Sequence, residues 1–252
     1  PYRLAKKREN DAALEGLGQR LSDLAAMDAS GQIQSVIRGI FAGNLYDLGA
    51  TETAALYEDG ASVDFSATLA DLPDRPWRYD DLDALVGRLD RDPVRSAMVL
   101  VDNAGGDIGL GILPLAWHLL ESADHVVLAA NETPSLNDVT VMELADLVER
   151  AVGVDDRLAQ AHESGRLEVV STGNGAPLID LSVVTAELKE AAERTAPDLL
   201  VIEGMGRALE SNFRAQFTVD TLKIAMIKDQ GVADAFDASL YDLVCRFEPA
   251  VT

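Results

Sequence analysis

Short apolar runs alternate with amphipathic segments along the chain from residue 96 onward. The runs have the length of buried strands, and the segments between them space their apolar residues as helices do. The runs are AMVLV (97–101), HVVLAA (125–130), LEVVS (167–171), LLVIE (199–203), LKIAMI (222–227) and LVCRF (243–247). The intervening segments are 107–122, 138–151, 184–194 and 207–217. Strands that are apolar on both faces need cover on both, so the pattern predicts an α/β fold with a doubly wound, mostly parallel sheet in three Rossmann-like layers.

The first 95 residues follow a different, mainly helical pattern. Apolar positions recur at helical spacing from Leu4 to Ala26 and again over 34–50, and a shorter helix is predicted to begin near Asp80. Gly49 suits the end of the second of these helices. We therefore divide the chain into an N-terminal helical layer, 1–95, and an α/β core, 96–252, and expect the two to form one compact unit.

Composition removes several classes of function. The chain has 252 residues, with 43 acidic against 21 basic side chains and a formal charge of −22. A nucleic-acid groove or a patch for an anionic membrane needs clustered positive charge, so neither partner is expected. There is no apolar run of about 18 residues, as a transmembrane helix requires. The single cysteine, Cys245, excludes an internal disulfide, and the first ten residues lack a signal-peptide core, so the cytoplasm is the expected location. The sequence does not predict an oligomeric state.

Polar and glycine-rich segments follow five successive predicted strands. Ligands of open α/β sheets bind beyond the carboxyl ends of the strands, which meet at one edge. Ordinary loops are polar as well, which accounts for one or two such ends but less readily for five. The segments in chain order are Asp102-Asn103-Ala104-Gly105-Gly106-Asp107, Asn131 with Asn137-Asp138, Thr172-Gly173-Asn174-Gly175, Glu203-Gly204-Met205-Gly206-Arg207, and Lys228.

The side chains of Asp102, Asn103 and Asp138 suit a metal ion. Each offers a hard oxygen ligand, and oxygen-only ligation is typical of Mg²⁺ or Mn²⁺. The alternative is structural: Asp102 caps the next helix, Asn103 fixes the turn, and Asp138 is the N-cap of the segment that follows it. The spacing alone leaves both interpretations open for Asp102 and Asn103, whereas for Asp138 it favours the N-cap.

The glycines at 105, 109 and 111 support a competing hypothesis. Their spacing after a strand matches that of short-chain dehydrogenases, in which glycines let the pyrophosphate of NAD(P) approach a helix N-terminus. Asp102 and Asp107 flank this loop, however, and would repel a pyrophosphate. The next strand ends in Asn131 and not in an acid that could bind a ribose.

An aspartyl-nucleophile phosphatase of the haloacid dehalogenase type is excluded. That chemistry needs a second Asp two residues after the nucleophile, and position 104 is Ala.

Three motifs resemble the metal-dependent damage-control phosphatases. They are Asp102-Asn103-Ala104-Gly105-Gly106-Asp107, Leu136-Asn137-Asp138-Val139-Thr140 and Glu203-Gly204-Met205-Gly206-Arg207. The last resembles the signature of the branch found as the C-terminal domain of pantothenate kinase four and its plant relatives. Phe41-Ala42-Gly43-Asn44, continuing through Asp47 to Ala50, resembles the N-terminal helix motif of the family. The resemblance runs from about Phe41 to the C-terminus.

This resemblance implies a hydrolase of small phosphate monoesters. The branch implies 4′-phosphopantetheine or its oxidised or damaged forms as substrate, and hence a role in metabolite damage control in the coenzyme A pathway. It implies Asp102, Asn103 and Asp138 as ligands of Mn²⁺, Co²⁺, Ni²⁺ or Mg²⁺. It also implies that the loop from Glu203 to Arg207 binds the substrate.

The remaining roles are hypotheses built on that site. Asp107 is the candidate to orient or deprotonate the attacking water, and Lys228, Asn131 and the backbone of Gly105 and Gly106 are candidates to contact the phosphate. Each has a plainer alternative. Asp107 also suits the first turn of a helix, Lys228 could merely extend into solvent from its strand end, and Arg207 could pair with Glu203 or Glu210.

Two features complete the sequence picture. Asn44 and Asp47 lie on a predicted helix, from which they could close the pocket on the side of the N-terminal layer. Without the resemblance, simple solvation on the helix surface is the favoured alternative. A third class of function, a non-catalytic module that binds a phosphorylated metabolite, also stays open.

Overall fold

A computed structural model describes residues 2–45 and 65–251, which contain a seven-stranded sheet. Its strands stand in the order β1-β7-β6-β5-β2-β3-β4. β7 runs antiparallel to β6, and all other neighbouring strands are parallel. The carboxyl ends of β2 to β6 therefore lie at one edge. The strands are β1 (Tyr79–Asp80), β2 (Ser96–Leu100), β3 (His125–Ala130), β4 (Leu167–Ser171), β5 (Leu199–Glu203), β6 (Asp220–Met226) and β7 (Leu243–Glu248).

Helices cover both faces of this sheet. Two short π-helical segments, Asp107–Ile112 and Met205–Ser211, are the next helical elements after β2 and β5. Among the described residues, no helix combines the length and the apolar character that crossing a bilayer requires. The α-helices are α1 (Arg3–Ala25), α2 (Ala29–Leu45), α3 (Phe65–Asp71), α4 (Leu82–Arg91), α5 (Leu113–Leu119), α6 (Val141–Ala151), α7 (Asp156–Glu163), α8 (Ala186–Thr195) and α9 (Gln230–Ala235).

Strand side chains alternate between two hydrophobic clusters, one on each face of the sheet. Val99 contributes to the cluster shared with α1, α2 and α5 to α7, and Leu100 contributes to the cluster shared with α8 and the 205–211 segment. This alternation is the period-2 geometry of a strand that is buried on both faces. The predicted three-layer, mostly parallel α/β fold is confirmed.

The N-terminal helices pack closely on the segment that follows β2. A Cβ atom at Gly109 would lie 2.5 Å from the Cβ of Ala13 in α1, and one at Gly43 in α2 would lie 2.6 Å from the backbone oxygen of Gly106. Phe41 packs edge-on against Trp77, with ring centroids 5.0 Å apart. The predicted division at residue 95 stays a prediction, but these contacts join the helical layer to the core.

Several predicted boundaries were wrong. The helix expected over 207–217 is the shorter π-helical segment 205–211, and α6 begins at Val141. The N-cap of α6 is Thr140, which forms a reciprocal capping box with Glu143, so the expectation that Asp138 caps this helix was wrong. The carboxylate of Asp138 is used elsewhere, in ion pairing. Predictions that concern Asp47, Gly49 and Ala50 lie outside the described residues.

Candidate active site at the carboxyl edge of the sheet

The turn after β2 brings two carboxylates together around one amide. Asn103 Nδ2 donates to Asp102 Oδ2 at 2.9 Å and to Asp107 Oδ2 at 3.2 Å, and the backbone N–H of Asn103 also donates to Asp107 Oδ2 at 3.3 Å. Gly105 completes the turn with φ of +79°, a conformation that favours glycine. The turn therefore directs both carboxylates, which are buried, toward one place.

The loop after β3 pairs with that turn. Asn103 and Asp138 form an isolated antiparallel bridge, in which the backbone N–H of Val139 donates to the backbone oxygen of Asp102 at 2.8 Å. Asn131 Nδ2 donates to Asp138 Oδ2 at 2.8 Å. The three predicted ligands, Asp102, Asn103 and Asp138, thus meet at neighbouring strand ends.

Glu203, the last residue of β5, lies on the other side of the β2 turn. Its carboxylate accepts a hydrogen bond from the backbone N–H of Asp102 at 2.7 Å. Asn44 Nδ2, from α2, donates to both Glu203 (3.1 Å) and Asp107 (2.9 Å), so the N-terminal layer contributes to the site. At Gly204, φ is +101° and a Cβ atom would lie 2.3 Å from Asp102 Cγ. This glycine is required because the backbone passes directly over the carboxylate.

Three of these carboxylates form a group that fits a cation. Asp102, Asp107 and Glu203 are buried, and one oxygen from each lies within 4.8 Å of the others. The side-chain oxygens of Asn44 and Asn131 are also buried and have no hydrogen-bond partner among the described residues. Hard, partly unsatisfied oxygens suit a divalent ion such as Mg²⁺ or Mn²⁺. The group shares Asp102 with the predicted ligand set and places the carboxylates of Asp107 and Glu203 beside it.

Arg207 lies between the loops and is almost completely buried. Its guanidinium donates to Asp102 through Nη1 and to Asp138 Oδ2 through Nη2, the latter at 2.9 Å. The alternative pairing across the turn with Glu203 or Glu210 is not what the structure contains. The arginine instead ties together carboxylates that follow two different strands.

Burial and crowding shift the ionisation of the cluster. Burial raises the pKa of Asp102 to about 7, against the opposing charge of Arg207 and reinforced by Asp138 and Asp107. Burial likewise raises the pKa of Glu203 well above its ordinary value, with Asp107 and Asp102 adding to the effect. Burial alone would lower the pKa of Arg207, but Asp102 and Asp138 outweigh it and raise that pKa. If fully ionised, these carboxylates would carry more negative charge than one arginine offsets, so the cluster favours bound protons or a bound cation.

The other predicted contacts lie around this cluster. The positive charge of Lys228 lowers the pKa of Asp102, and the backbone N–H of Lys228 donates to Met205 Sδ at 3.2 Å. At Gly206 a Cβ atom would lie 2.5 Å from the backbone oxygen of Pro177. Gly206 thus lets the β4 and β5 loops approach each other, while Met205 and Lys228 stay half-buried.

The glycine spacing that suggested a dehydrogenase has another explanation. Gly109 faces Ala13 of α1, and a Cβ atom at Gly111 would lie 3.0 Å from the Cα of Ile40 in α2. Helices thus occupy the space that a cofactor pyrophosphate would need beside these glycines. The spacing serves helix packing, which removes the structural basis for the dinucleotide hypothesis.

Sequence reasoning missed two residues of the N-terminal helix. Lys6 and Asn10 are buried, lie one turn apart on α1 and reach the two loops described above. In the sequence they appear only as two polar residues, four positions apart, on the helix face that also carries Ala13, Leu14 and Leu17.

The fold and this cluster define an α/β protein with a buried acidic site at the carboxyl edge of its sheet. Residues 1–244 match the family model described as "Damage-control phosphatase ARMT1-like domain". The chain belongs to this family, and the predicted membership is confirmed.

Named relatives agree with this membership. The chain is 40% identical over 276 residues to pantothenate kinase 2 of Arabidopsis thaliana, covering 98% of this chain and 30% of the relative. It is 40% identical over 248 residues to a damage-control phosphatase of the same plant, covering 98% and 66%. It is 28% identical over 295 residues to the 4′-phosphopantetheine phosphatase of Mus musculus, covering 98% and 36%. The chain thus spans about a third of two of these relatives and just under two thirds of the other.

A solved structure supports the fold alone. The crystal structure of a DUF89 family protein from Pyrococcus horikoshii superposes with a TM-score of 0.60 and 20% sequence identity. The match covers 94% of this chain and 73% of that one.

Proposed function

We propose that this chain is a divalent-metal-dependent phosphatase that hydrolyses a small phosphate monoester. The observation that carries the proposal is the buried group of Asp102, Asp107 and Glu203, whose carboxylate oxygens lie within 4.8 Å of one another. Such a group is costly to bury without a compensating cation. Membership in the damage-control phosphatase family supports the same conclusion.

The residues present fit the metal that the family implies. Asp102 belongs both to the predicted ligand set and to the carboxylate group of the structure, so we assign it the central ligand role. The candidates to complete the set are Asp107 and Glu203 on one side, and Asn103 and Asp138 on the other. A divalent cation held there would offset the charge of the phosphate and lower the pKa of a water molecule. Mn²⁺, Co²⁺, Ni²⁺ and Mg²⁺ are the ions to be compared.

Two side chains supply positive charge for the phosphate. The planar guanidinium of Arg207 suits two phosphate oxygens at once, and it becomes available when a cation takes its place at the carboxylates. The charge of Lys228 acts at the same place, because it lowers the pKa of Asp102. The formal charge of −22 does not prevent the approach of a phosphate, because surface charges are screened over about 8 Å at physiological salt. The backbone of Gly105 and Gly106 is the proposed further contact.

Asp107 is the proposed group that orients the attacking water. Three donors, two from Asn103 and one from Asn44, converge on Asp107 Oδ2 and fix the direction of the carboxylate. Removal of a proton by a fixed carboxylate is ordinary general-base catalysis. No covalent aspartyl intermediate is proposed, because position 104 is Ala.

The proposed substrate is 4′-phosphopantetheine or one of its oxidised or damaged forms. The support is the name of the mouse relative, together with the plant relative named pantothenate kinase 2. Hydrolysis of such compounds would restrain coenzyme A synthesis and remove damaged intermediates. The proposed partner is therefore a small phosphorylated metabolite.

A metabolite screen tests this function. Purified protein is assayed for phosphate release from a panel of phosphate monoesters in the presence of each of the four divalent ions and of a chelator, beside Asp102→Ala. We expect release that depends on the metal, is fastest with the phosphopantetheine compounds and is lost in the variant. Full activity of Asp102→Ala would contradict the proposal. Binding of phosphopantetheine without turnover under any ion would identify a binding module instead.

A further inference from the structure

Helix α1 extends two buried polar side chains into the loops of the candidate site. Lys6 is 3% exposed, and its Nζ donates to the backbone oxygen of Asp138 at 3.0 Å and to the Glu143 carboxylate at 2.6 Å. Asn10 is 6% exposed, and its Oδ1 accepts the backbone N–H of Gly105 at 2.6 Å. One helical turn therefore contacts both the β3 loop and the β2 turn.

Packing of α1 does not require these polar groups. The helix already buries Leu14, Leu17, Leu21 and Leu24 in the hydrophobic cluster below it. Taking an ammonium group out of water is costly, and apolar packing would avoid that cost. The buried amine is explained by the two acceptors that it joins.

The contact of Lys6 fixes the segment that carries Asp138. Glu143 accepts from Lys6 and also from the backbone N–H (2.9 Å) and hydroxyl (3.0 Å) of Thr140, which begins α6. The amine is thus bonded to the backbone of Asp138 and, through Glu143, to the cap two residues further on. The backbone of Asp138 therefore cannot move away from α1 without breaking one of these bonds.

The contact of Asn10 fixes the turn that carries Asn103 and Asp107. Gly105 lies between them with φ of +79°, and its N–H is buried in the turn. Without Asn10, that N–H would lose its acceptor and the turn would lose its attachment to the helix. An unsatisfied buried donor would favour a different turn conformation.

We propose that Lys6 and Asn10 are positioning residues of the site, through which α1 sets the separation of the Asp102–Asp107 turn and the Asp138 loop. The inference rests on the proposed metal-dependent function. Neither side chain is proposed to contact the substrate. Partners that orient metal ligands from behind commonly change metal affinity or activity by about 10- to 100-fold when removed.

The experiment compares Lys6→Met and Asn10→Ala with Lys7→Met. Lys7 is the matched control because it is the next residue of the same helix, is exposed, and pairs only with Asp11 at 2.9 Å among the described residues. Three quantities are measured on the whole chain: residue-resolved amide hydrogen exchange without metal, the Mn²⁺ dissociation constant by calorimetry, and kcat and KM for phosphate release.

We expect each variant to loosen its own loop. Lys6→Met should speed amide exchange at Val139, whose N–H donates a hydrogen bond to the backbone oxygen of Asp102. Asn10→Ala should speed amide exchange at Gly105, whose N–H donates to Asn10. Both variants weaken Mn²⁺ binding about tenfold or more and lower kcat with KM changed less than threefold, whereas Lys7→Met stays within twofold of the wild type.

The outcomes separate this inference from the proposed function. Unchanged exchange at Val139 and Gly105, or faster exchange along all of α1, would overturn the positioning role even if the wild type is fully active. If the wild type neither binds Mn²⁺ nor releases phosphate, the proposed function fails, and the positioning role for metal binding and catalysis fails with it. The exchange data then still show whether α1 holds the two loops.

Discussion

Arg207 donates a hydrogen bond to Asp138 at 2.9 Å, with both side chains almost completely removed from solvent. The two residues follow different strands, β5 and β3, and the same guanidinium also pairs with Asp102 after β2. The arginine therefore neutralises part of a carboxylate cluster that would otherwise repel itself. A divalent cation that binds Asp102 Oδ1 or Asp138 Oδ2 must compete with Arg207 for that oxygen.

Arg207→Met should destabilise the metal-free protein. Breaking a buried ion pair leaves charges without a partner, at a cost of about 3–5 kcal/mol in the free energy of unfolding. The measurement is urea unfolding with a chelator and again with Mn²⁺, which should restore much of the loss because the cation takes over the carboxylates.

Arg194→Met is the control for this prediction. Arg194 pairs with Glu168 at 2.8 Å but is half exposed, so its loss should cost under about 1 kcal/mol. Equal stability of the two variants in chelator would show that Arg207 does not hold the cluster together.

Gly204→Ala should disrupt the site through the backbone. The residue has φ of +101°, and the added Cβ would lie 2.3 Å from Asp102 Cγ, so the loop or the carboxylate must move. We expect a loss of roughly 2 kcal/mol or more in the free energy of unfolding, from backbone strain and the displaced carboxylate. The measurement is chemical unfolding of the two proteins under identical conditions.

Gly87→Ala provides the matched comparison. Gly87 lies in α4, and nothing surrounds the position that its Cβ would occupy within 4 Å. Alanine there should stabilise the helix by about 0.5–1 kcal/mol. A Gly204→Ala variant as stable as Gly87→Ala would mean that the close approach to Asp102 carries no cost.

The sheet was predictable from sequence because its strands are apolar on both faces. The six predicted runs match β2 to β7 to within two residues at either end. The polar ends of β2 to β6 meet at one edge as expected. The composition of a buried strand reflects its environment, because side chains on both of its faces are apolar. The segment after β5 was less predictable, because its apolar residues have helical spacing but only 205–211 are helical in the structure.

The pairing of side chains within the site could not be derived from sequence. Asp102, Asn103 and Asp138 were placed correctly at neighbouring strand ends, but no pattern shows that Glu203 faces Asp102 or that Arg207 lies between two loops. The contact of Lys6 with Asp138 spans 132 positions, and no local spacing records it. Such contacts depend on tertiary packing and on side-chain direction, which periodicity does not describe.

The metal-free protein should become less stable as the pH rises from about 4 toward and beyond 7. Burial raises the pKa of Asp102 from 3.8 to about 7, and that of Glu203 also rises. In this window the folded state retains protons that the unfolded state releases, so raising the pH favours unfolding. The slope is at most about 1.4 kcal/mol per pH unit for each such group.

Unfolding in chelator at several pH values measures this dependence. Asp102→Asn removes one of the groups and should flatten the curve, while Mn²⁺ should bind the wild type more tightly at higher pH because its ligands are then ionised. A metal-free wild type whose stability is constant or rises between pH 5 and 8 would contradict the expected sign.

The thiol of Cys245 should be inert in the folded protein. Cys245 is completely buried in β7, and burial, with Asp80 and Asp81 adding to it, raises the pKa of the thiol. Only the thiolate is reactive, so a thiol reagent such as dithionitrobenzoate should react only as fast as the protein unfolds. Reaction within seconds in native buffer, as fast as in urea, would show that the strand opens readily.

The most direct test of the metal site is a crystal grown with Mn²⁺ and measured for its anomalous scattering. The proposed function predicts a manganese peak bonded to Asp102, with further oxygens from Asp107, Glu203, Asn103 or Asp138, and Arg207 withdrawn from Asp102. Manganese bound elsewhere, with Arg207 still paired to Asp102 at saturating metal, would contradict it.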